Sequence, residues 1–355
     1  MNADTRAEFM RLTDILTPWA IRVAATLRIA DLIAEGHTTV ADLAAKSDAN
    51  ADALARLMRY LVARGVFSEP QPDAYGLTDL GAPLLSAHPG SRRTRLDLEG
   101  MGGRIDSANA GLLQAVRTGR PSYADMFGLP FWADIVANPD MEPSFDEVMA
   151  DHTPWFGEVV AGHSWEGVKH VVDVGGGTGA LLAAILHASP DIHGVLVDQT
   201  ATVAEGQRYL AAQGLADRAT AVVGDFFEAL PSGADVYVLS NILHDWSDED
   251  AVRILRRCAD AAGAGGRILI ADRVVDQNGD EAMLTMLDLR MLVLLGGRER
   301  DRAHWLDVIS TAGLTVRSTV HRDGGVTLLE CVPATVRETA DLVRQGGRAQ
   351  GGRAQ

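Results

Sequence analysis

The stretch His170–Ala180, HVVDVGGGTGA, constrains the fold more than any other part of this chain. The run Val171–Val174 reads as a strand, and it leads directly into Gly175, Gly176, Gly177, Thr178 and Gly179. The apolar stretch Leu181–Leu186 follows as a helix. Strand, glycine turn and helix in that order predict an α/β fold. The glycines are needed because a Cβ would block a tight turn and would keep a ligand from contact distance with the backbone.

Downstream of Trp165 the pattern alternates. Strands are predicted over 170–174, 194–198, 219–223, 235–240 and 267–271, with helices between them. Two more, over 315–320 and 326–331, flank Arg322-Asp323-Gly324-Gly325 and read as a hairpin. The prediction is a Rossmann-like, mostly parallel sheet with a terminal antiparallel hairpin. Ligands of such sheets sit at the carboxyl ends of the strands, so the residues following each strand are the site candidates. Asp173 and the glycines end the first strand. Asp198 ends the second, where a carboxylate can accept both hydroxyls of a ribose. Asp225-Phe226 follows the third and suits an adenine, the acid for its amino group and the ring for its face. Ser240-Asn241-Ile242-Leu243-His244-Asp245-Trp246 follows the fourth, Asp272 ends the fifth, and Gly296-Gly297-Arg298-Glu299-Arg300 lies beyond. The loop itself fits two cofactors. Gly175, Gly177 and Ala180 match a dinucleotide G-x-G-x-x-A, and equally the shorter loop of S-adenosylmethionine enzymes. Asp225-Phe226 favours the second, since nicotinamide enzymes have no general need for that pair.

The amino-terminal part reads differently. Phe9, Leu12, Leu16, Trp19, Ala20, Val23 and Leu27 recur at helical spacing, a stripe wide enough to meet a core or another subunit. Thr39 to Phe67 reads as helix-turn-helix, and Val66-Phe67 with Tyr75-Gly76-Leu77 as a hairpin, together a winged-helix pattern. Its two readings are DNA binding and a packing or dimerisation module. A net charge of −16 opposes the first, and opposes an anionic membrane partner as well. Arg92, Arg93 and Arg95 are read as a solvated loop. The expected division is 1–95 winged-helix dimerisation domain, 96–165 helical connector contributing to an acceptor pocket, 166–333 cofactor-binding domain and 334–355 disordered tail. Two cysteines in 355 residues suit a reducing compartment, with Cys258 in the core. The amino terminus has no basic start followed by an apolar run, and the longest aliphatic run, Met291–Leu295, is far too short to span a bilayer. A cytoplasmic protein without membrane contact is expected.

The segments VDVGGGTG, GDFF, LHDWSDED and GGRER, in this order, resemble the class I S-adenosylmethionine-dependent O-methyltransferases of the plant caffeate and bacterial polyketide type. The resemblance covers nearly the whole chain, winged helix included, and is especially near the actinobacterial naphthoate O-methyltransferases. It implies S-adenosylmethionine as cofactor, held by Asp173, Gly175, Gly177, Asp198, Asp225, Phe226 and Ser240. It implies His244 as general base with Asp272 and Glu299 flanking and orienting it; sequence does not rank these two. Met149 and Met291 match a thioether clamp around an aromatic acceptor ring. His152 and Asp245 join the acceptor side, with capping of the helix near Ser247 as the alternative for Asp245. A homodimer through the amino-terminal domain and a hydroxylated aromatic acceptor are the implied partners. Three positions depart from the family: Ser240 stands where plant members often carry Lys, Asp272 where many carry Glu, and Gln199-Thr200 where Leu-Pro is usual.

The chemistry fits those residues. A phenol, with a pKa of about 10 by analogy with tyrosine, is a poor nucleophile until deprotonated. A neutral imidazole beside it can take the proton, worth roughly 10²–10⁴-fold, and a carboxyl on the other ring nitrogen fixes the tautomer. No metal is expected, because the catalytic segments carry no His/Cys ligand cluster and no paired Asp motif. The rival readings are methylation at N or C, a cofactor-binding relative that does not methylate, a nicotinamide oxidoreductase and a winged-helix regulator.

Overall fold

In the computed structural model the described residues are 2–138, 141, 144, 153–275 and 281–334. The chain divides into two compact units. One comprises Met1–Asn109 with Ala137–Asp151, the other Ala110–Val136 with His152–Gln355. The segment 96–165, read from sequence as one connector, is therefore shared between them. The expected tail, 335 onward, lies outside the described residues.

The first unit is helical with one hairpin, β1 (Phe67–Gln71) and β2 (Ala74–Leu77), paired antiparallel. Thr39 and Asn50 cap the helices Val40–Ser47 and Ala51–Ala63, each side chain accepting a first-turn N–H. Ala24, Ile29, Leu43, Met58, Leu61 and Phe67 make the core. The long amino-terminal stripe is broken into three helices, Ala3–Leu12, Leu16–Thr26 and Ile29–Ala34. The first break forms because Asp14 accepts the N–H groups of Leu16 and Thr17. The second forms at Arg28, whose φ of 54° is left-handed. Ala20 and Ala24 are buried, whereas Phe9, Leu12 and Leu16 stay largely exposed. The arginine run is not simply a solvated loop. Arg93 pairs with Asp97, while Arg95 and Arg22 both pair with the buried Asp106.

The second unit is built on seven strands: β3 (His170–Val174), β4 (His193–Asp198), β5 (Ala219–Val223), β6 (Val236–Ser240), β7 (Arg267–Asp272), β8 (Leu314–His321) and β9 (Thr327–Pro333). Their order is β5-β4-β3-β6-β7-β9-β8. β3 to β7 pair in parallel, and β9 runs antiparallel to both β7 and β8. The two-residue period of a strand divides the core. Val172, Val174, Tyr237, Leu239, Ile268 and Ile270 face one layer with Leu255 and Trp305. Val171, Val236, Val238, Leu269 and Ala271 face the other with Leu182 and Ile185. Cys258 and Cys331 are both free and buried, and burial pushes each thiol up to about 12. Among the described residues no helix is long and apolar enough to cross a membrane.

Candidate active site

Two groups of side chains gather at the carboxyl ends of β3 to β7. The first is a cradle. Gly175, Gly177 and Gly179 take φ values of 71°, 59° and 82°, a region that costs other residues strain. A Cβ on Gly175 would run into Ile242 and Phe226. The Gly177 N–H donates to Asp198 Oδ2 (2.8 Å) and the Gln199 N–H to Asp198 Oδ1 (2.7 Å), so Gly177 and Gln199 fix that carboxylate from both sides. Beyond β5, Asp225 Oδ1 accepts from the Phe227 N–H (2.9 Å). Phe226 and Phe227 pack edge-on against Trp246, with centroids at 5.6 and 4.8 Å. Ser240 Oγ accepts from Trp155 Nε1 (3.0 Å). Asp173 is fully buried and its Oδ2 has no donor among the described residues. Burial, reinforced by the charge of Asp198, pushes its carboxyl up to about 7. A cradle of left-handed glycines, an aromatic wall, a carboxylate at the end of β4 and an unpartnered buried carboxyl fits an adenosine ligand that brings its own donors.

The second group surrounds His244, which sits in the short turn Leu243–Asp245 after β6. Its Nδ1 lies 3.1 Å from Glu299 Oε1 and 3.6 Å from Asp272 Oδ1, so the structure ranks the two acids in favour of Glu299. Its Nε2 lies 3.4 Å from Asp245 Oδ1. Asp245 is therefore no helix cap. That role falls to Ser247, whose hydroxyl accepts the Asp250 N–H (3.2 Å). Burial opposes the charged imidazole, yet Asp272, Asp245 and Glu299 outweigh it and push His244 up to about 10. Burial, with Asp272 and Glu299 nearby, pushes Asp245 up to about 7, and burial likewise raises Asp272. With Nδ1–H given to Glu299, Nε2 is the ring atom left to accept a proton.

The turn is held by GGRER. The Arg298 N–H donates to the His244 carbonyl (2.8 Å), and a Cβ on Gly297 would collide with that same carbonyl. Arg300 is fully buried. It donates to the carbonyls of Leu243 (2.7 Å) and Trp246 (2.8 Å) and to Asp248 Oδ1 (2.9 Å), and lies over the Trp305 ring. Arg300 and Trp155 are contacts that the strand-end reading missed. Arg300 gave no distinct signal, since it stands among the charged neighbours Arg298, Glu299, Asp301 and Arg302. Trp155 gave none, since only the fold brings it to Ser240. Met291 is half-buried on the helix Glu281–Leu294. Met149 and His152 lie outside the described residues.

Comparison with known proteins agrees with this geometry. The family model described as the O-methyltransferase domain matches residues 110–315, and that of the O-methyltransferase dimerisation domain matches 10–87. The 2,7-dihydroxy-5-methyl-1-naphthoate 7-O-methyltransferase of Streptomyces carzinostaticus is 45% identical over 308 residues, 86% of this chain and 92% of its own. An aclacinomycin 10-hydroxylase of Streptomyces purpurascens is 44% identical over 324 residues, 90% of this chain and 86% of its own. Among solved structures, the O-methyltransferase NcsB1 from neocarzinostatin biosynthesis, in complex with S-adenosylmethionine and 2-hydroxy-5-methyl naphthoic acid, matches with a TM-score of 0.86. It is 42% identical and covers 91% of this chain and 98% of that one. With cradle, imidazole turn and both family models in agreement, the chain belongs to the S-adenosylmethionine-dependent O-methyltransferases that carry an amino-terminal dimerisation domain.

Proposed function

We propose that this protein methylates a phenolic hydroxyl of an aromatic natural-product intermediate, with His244 Nε2 taking the hydroxyl proton. The observation that carries this reading is the half-buried His244, whose Nδ1 lies 3.1 Å from Glu299 and 3.6 Å from Asp272. Asp173, Gly175, Gly177, Asp198, Asp225, Phe226 and Ser240 are the residues proposed to hold S-adenosylmethionine, which when bound supplies an electrophilic methyl group on a sulfonium. Glu299 holds the tautomer and stabilises the imidazolium that forms. Asp245, beside Nε2, stands where it meets the same proton or an acceptor hydroxyl. Met291 belongs to the acceptor wall in this reading. Alignment of oxygen and methyl supplies the remaining rate, with effective molarities of about 10⁵ M or more available to such intramolecular geometry.

The dimerisation-domain match and the exposed Phe9, Met10, Leu12, Ile15 and Leu16 support a homodimer through the amino-terminal unit. Two buried free thiols support a cytoplasmic setting. The decisive experiment incubates the purified protein with S-adenosylmethionine and a panel of hydroxylated naphthoates and follows product mass. A singly methylated product that vanishes in His244→Ala is expected. No saturable cofactor binding by calorimetry would sink the proposal. The aclacinomycin hydroxylase relative keeps one second reading open, a cofactor-dependent reaction without methylation. A product gaining oxygen rather than a methyl group would decide for it.

A further inference from the structure

His244, Asp272 and Glu299 do more than hold a proton acceptor in place. His244 Nδ1, one oxygen of Asp272 and one of Glu299 all lie within 4.8 Å of one another. The Nδ1 distances, 3.1 and 3.6 Å, bracket the separation of about 3.3 Å between ligands of a tetrahedral ion with bonds of about 2.0–2.2 Å. Asp272 Oδ2 and Glu299 Oε2 are both buried and have no hydrogen-bond partner among the described residues. Buried acceptors are normally paired, so two orphans in one cluster mark a place where a cation is underprovided. The buried Arg300 does not fill it. Arg300 spends its N–H groups on Leu243, Trp246 and Asp248. Asp245, on the Nε2 side, adds a third carboxyl and no positive charge.

We propose that this triad is a binding site for a borderline divalent transition ion, such as Zn²⁺, that inhibits the enzyme rather than serving it. One imidazole nitrogen with two carboxylates selects Zn²⁺, Co²⁺ or Ni²⁺ over Mg²⁺, which prefers oxygen and keeps its water. The ion occupies the Nδ1 lone pair. The ring's remaining proton then sits on Nε2, which has no lone pair left to accept another. Protons held by the cluster pass to solvent, so binding tightens as pH rises. The inhibitory consequence rests on His244 being the base; the binding itself does not.

Calorimetric titration of chelator-treated protein with ZnCl₂ tests the site. One Zn²⁺ per chain is expected, with Kd weakened about tenfold or more in both Asp272→Asn and Glu299→Gln, while S-adenosylmethionine binding shows that the variants are folded. Unchanged Zn²⁺ affinity in both variants overturns the site, and so does absence of binding to the unsubstituted protein. The exposed pair His170 and His193, rings 6.0 Å apart, is the competing surface ligand. Electron paramagnetic resonance of the Cu²⁺ form separates the two in unsubstituted protein: coupling to one nitrogen supports the triad, coupling to two overturns it. Methyl transfer should stop at one equivalent of Zn²⁺ and return with EDTA. Triad binding that leaves the rate unchanged overturns the inhibitory role and the base assignment together, while the metal site stands.

Discussion

The glycine cradle and the His244 cluster sit on the same sheet edge but are built in opposite ways. The cradle is a continuous stretch, Asp173 to Gly179, whose shape follows from left-handed glycines and from backbone N–H groups aimed at Asp198. The cluster joins three distant segments: LHDW meets the end of β7 and GGRER through the contacts of His244 with Asp272 and Glu299, and the buried Arg300 ties GGRER to the carbonyls of Leu243 and Trp246. The cradle depends on backbone conformation, and a bulky side chain breaks it. The cluster depends on charge balance, and a neutral substitution of the same shape is enough to retune it.

The largest effect is expected from the cluster. His244→Ala should lower kcat by roughly 10²–10⁴-fold with cofactor affinity unchanged, measured by single-turnover kinetics and calorimetry. Equal loss of affinity would mean that the two regions are one coupled site. The next test is Asp173→Asn. Asp173 rises from 3.8 to about 7 on folding, so the folded chain loses stability as pH climbs through that window. The variant lacks this titration. The cofactor-free variant should gain over the parent between pH 4 and 8, by no more than about 4 kcal/mol, read from denaturant melts at several pH values. A gain that is flat with pH would show that Asp173 keeps its charge.

Gly175→Val puts a branched side chain at φ 71° against Ile242 and Phe226. The left-handed conformation alone costs about 1–2 kcal/mol, so S-adenosylmethionine should bind about tenfold or more weakly, with kcat at saturation changed far less. The smallest effect tests the electrostatics of the base. His244 is raised from 6.5 to about 10, and only its neutral form accepts a proton. The rate should therefore rise with pH well beyond neutrality. Glu299→Gln removes one carboxyl that holds the imidazolium, so the rising limb should move to lower pH, visible in kcat/KM profiles. Asp173 and His244 share the sign of their shifts. Both withdraw stability as pH rises, the first from 3.8 to about 7 and the second from 6.5 to about 10.

Much of this was legible in the sequence for a physical reason. Buried parallel strands are short apolar runs bounded by turn residues, and all seven were found within two residues of their observed ends. The strand-end candidates were chosen because strand ends are where α/β sheets bind, and the structure places them at the carboxyl ends of β3 to β7. What failed to be legible was side-chain bonding and backbone detail that hydrophobic period does not encode. The helical stripe from Phe9 to Leu27 carried no sign that Asp14 and Arg28 would break it, since each break is made by a single residue's local bonding or φ. Asp245 had two readings because a carboxylate near a helix start is an ordinary cap. Only the Ser247 bond left it free to face Nε2.

By itself the sequence determined the order of the strand-end residues: the glycines, Asp198, Asp225 with Phe226, His244, then Asp272 and Glu299. These are set by backbone conformational freedom and hydrophobic period, which act over a few residues. Tertiary structure alone decided that Glu299 rather than Asp272 holds Nδ1, that Asp245 faces Nε2, and that Arg300 locks the turn. The Glu299 and Arg300 contacts depend on where segments more than fifty residues apart arrive, to within about an ångström, because the strength of a hydrogen bond and the charge of a buried acid change over that distance.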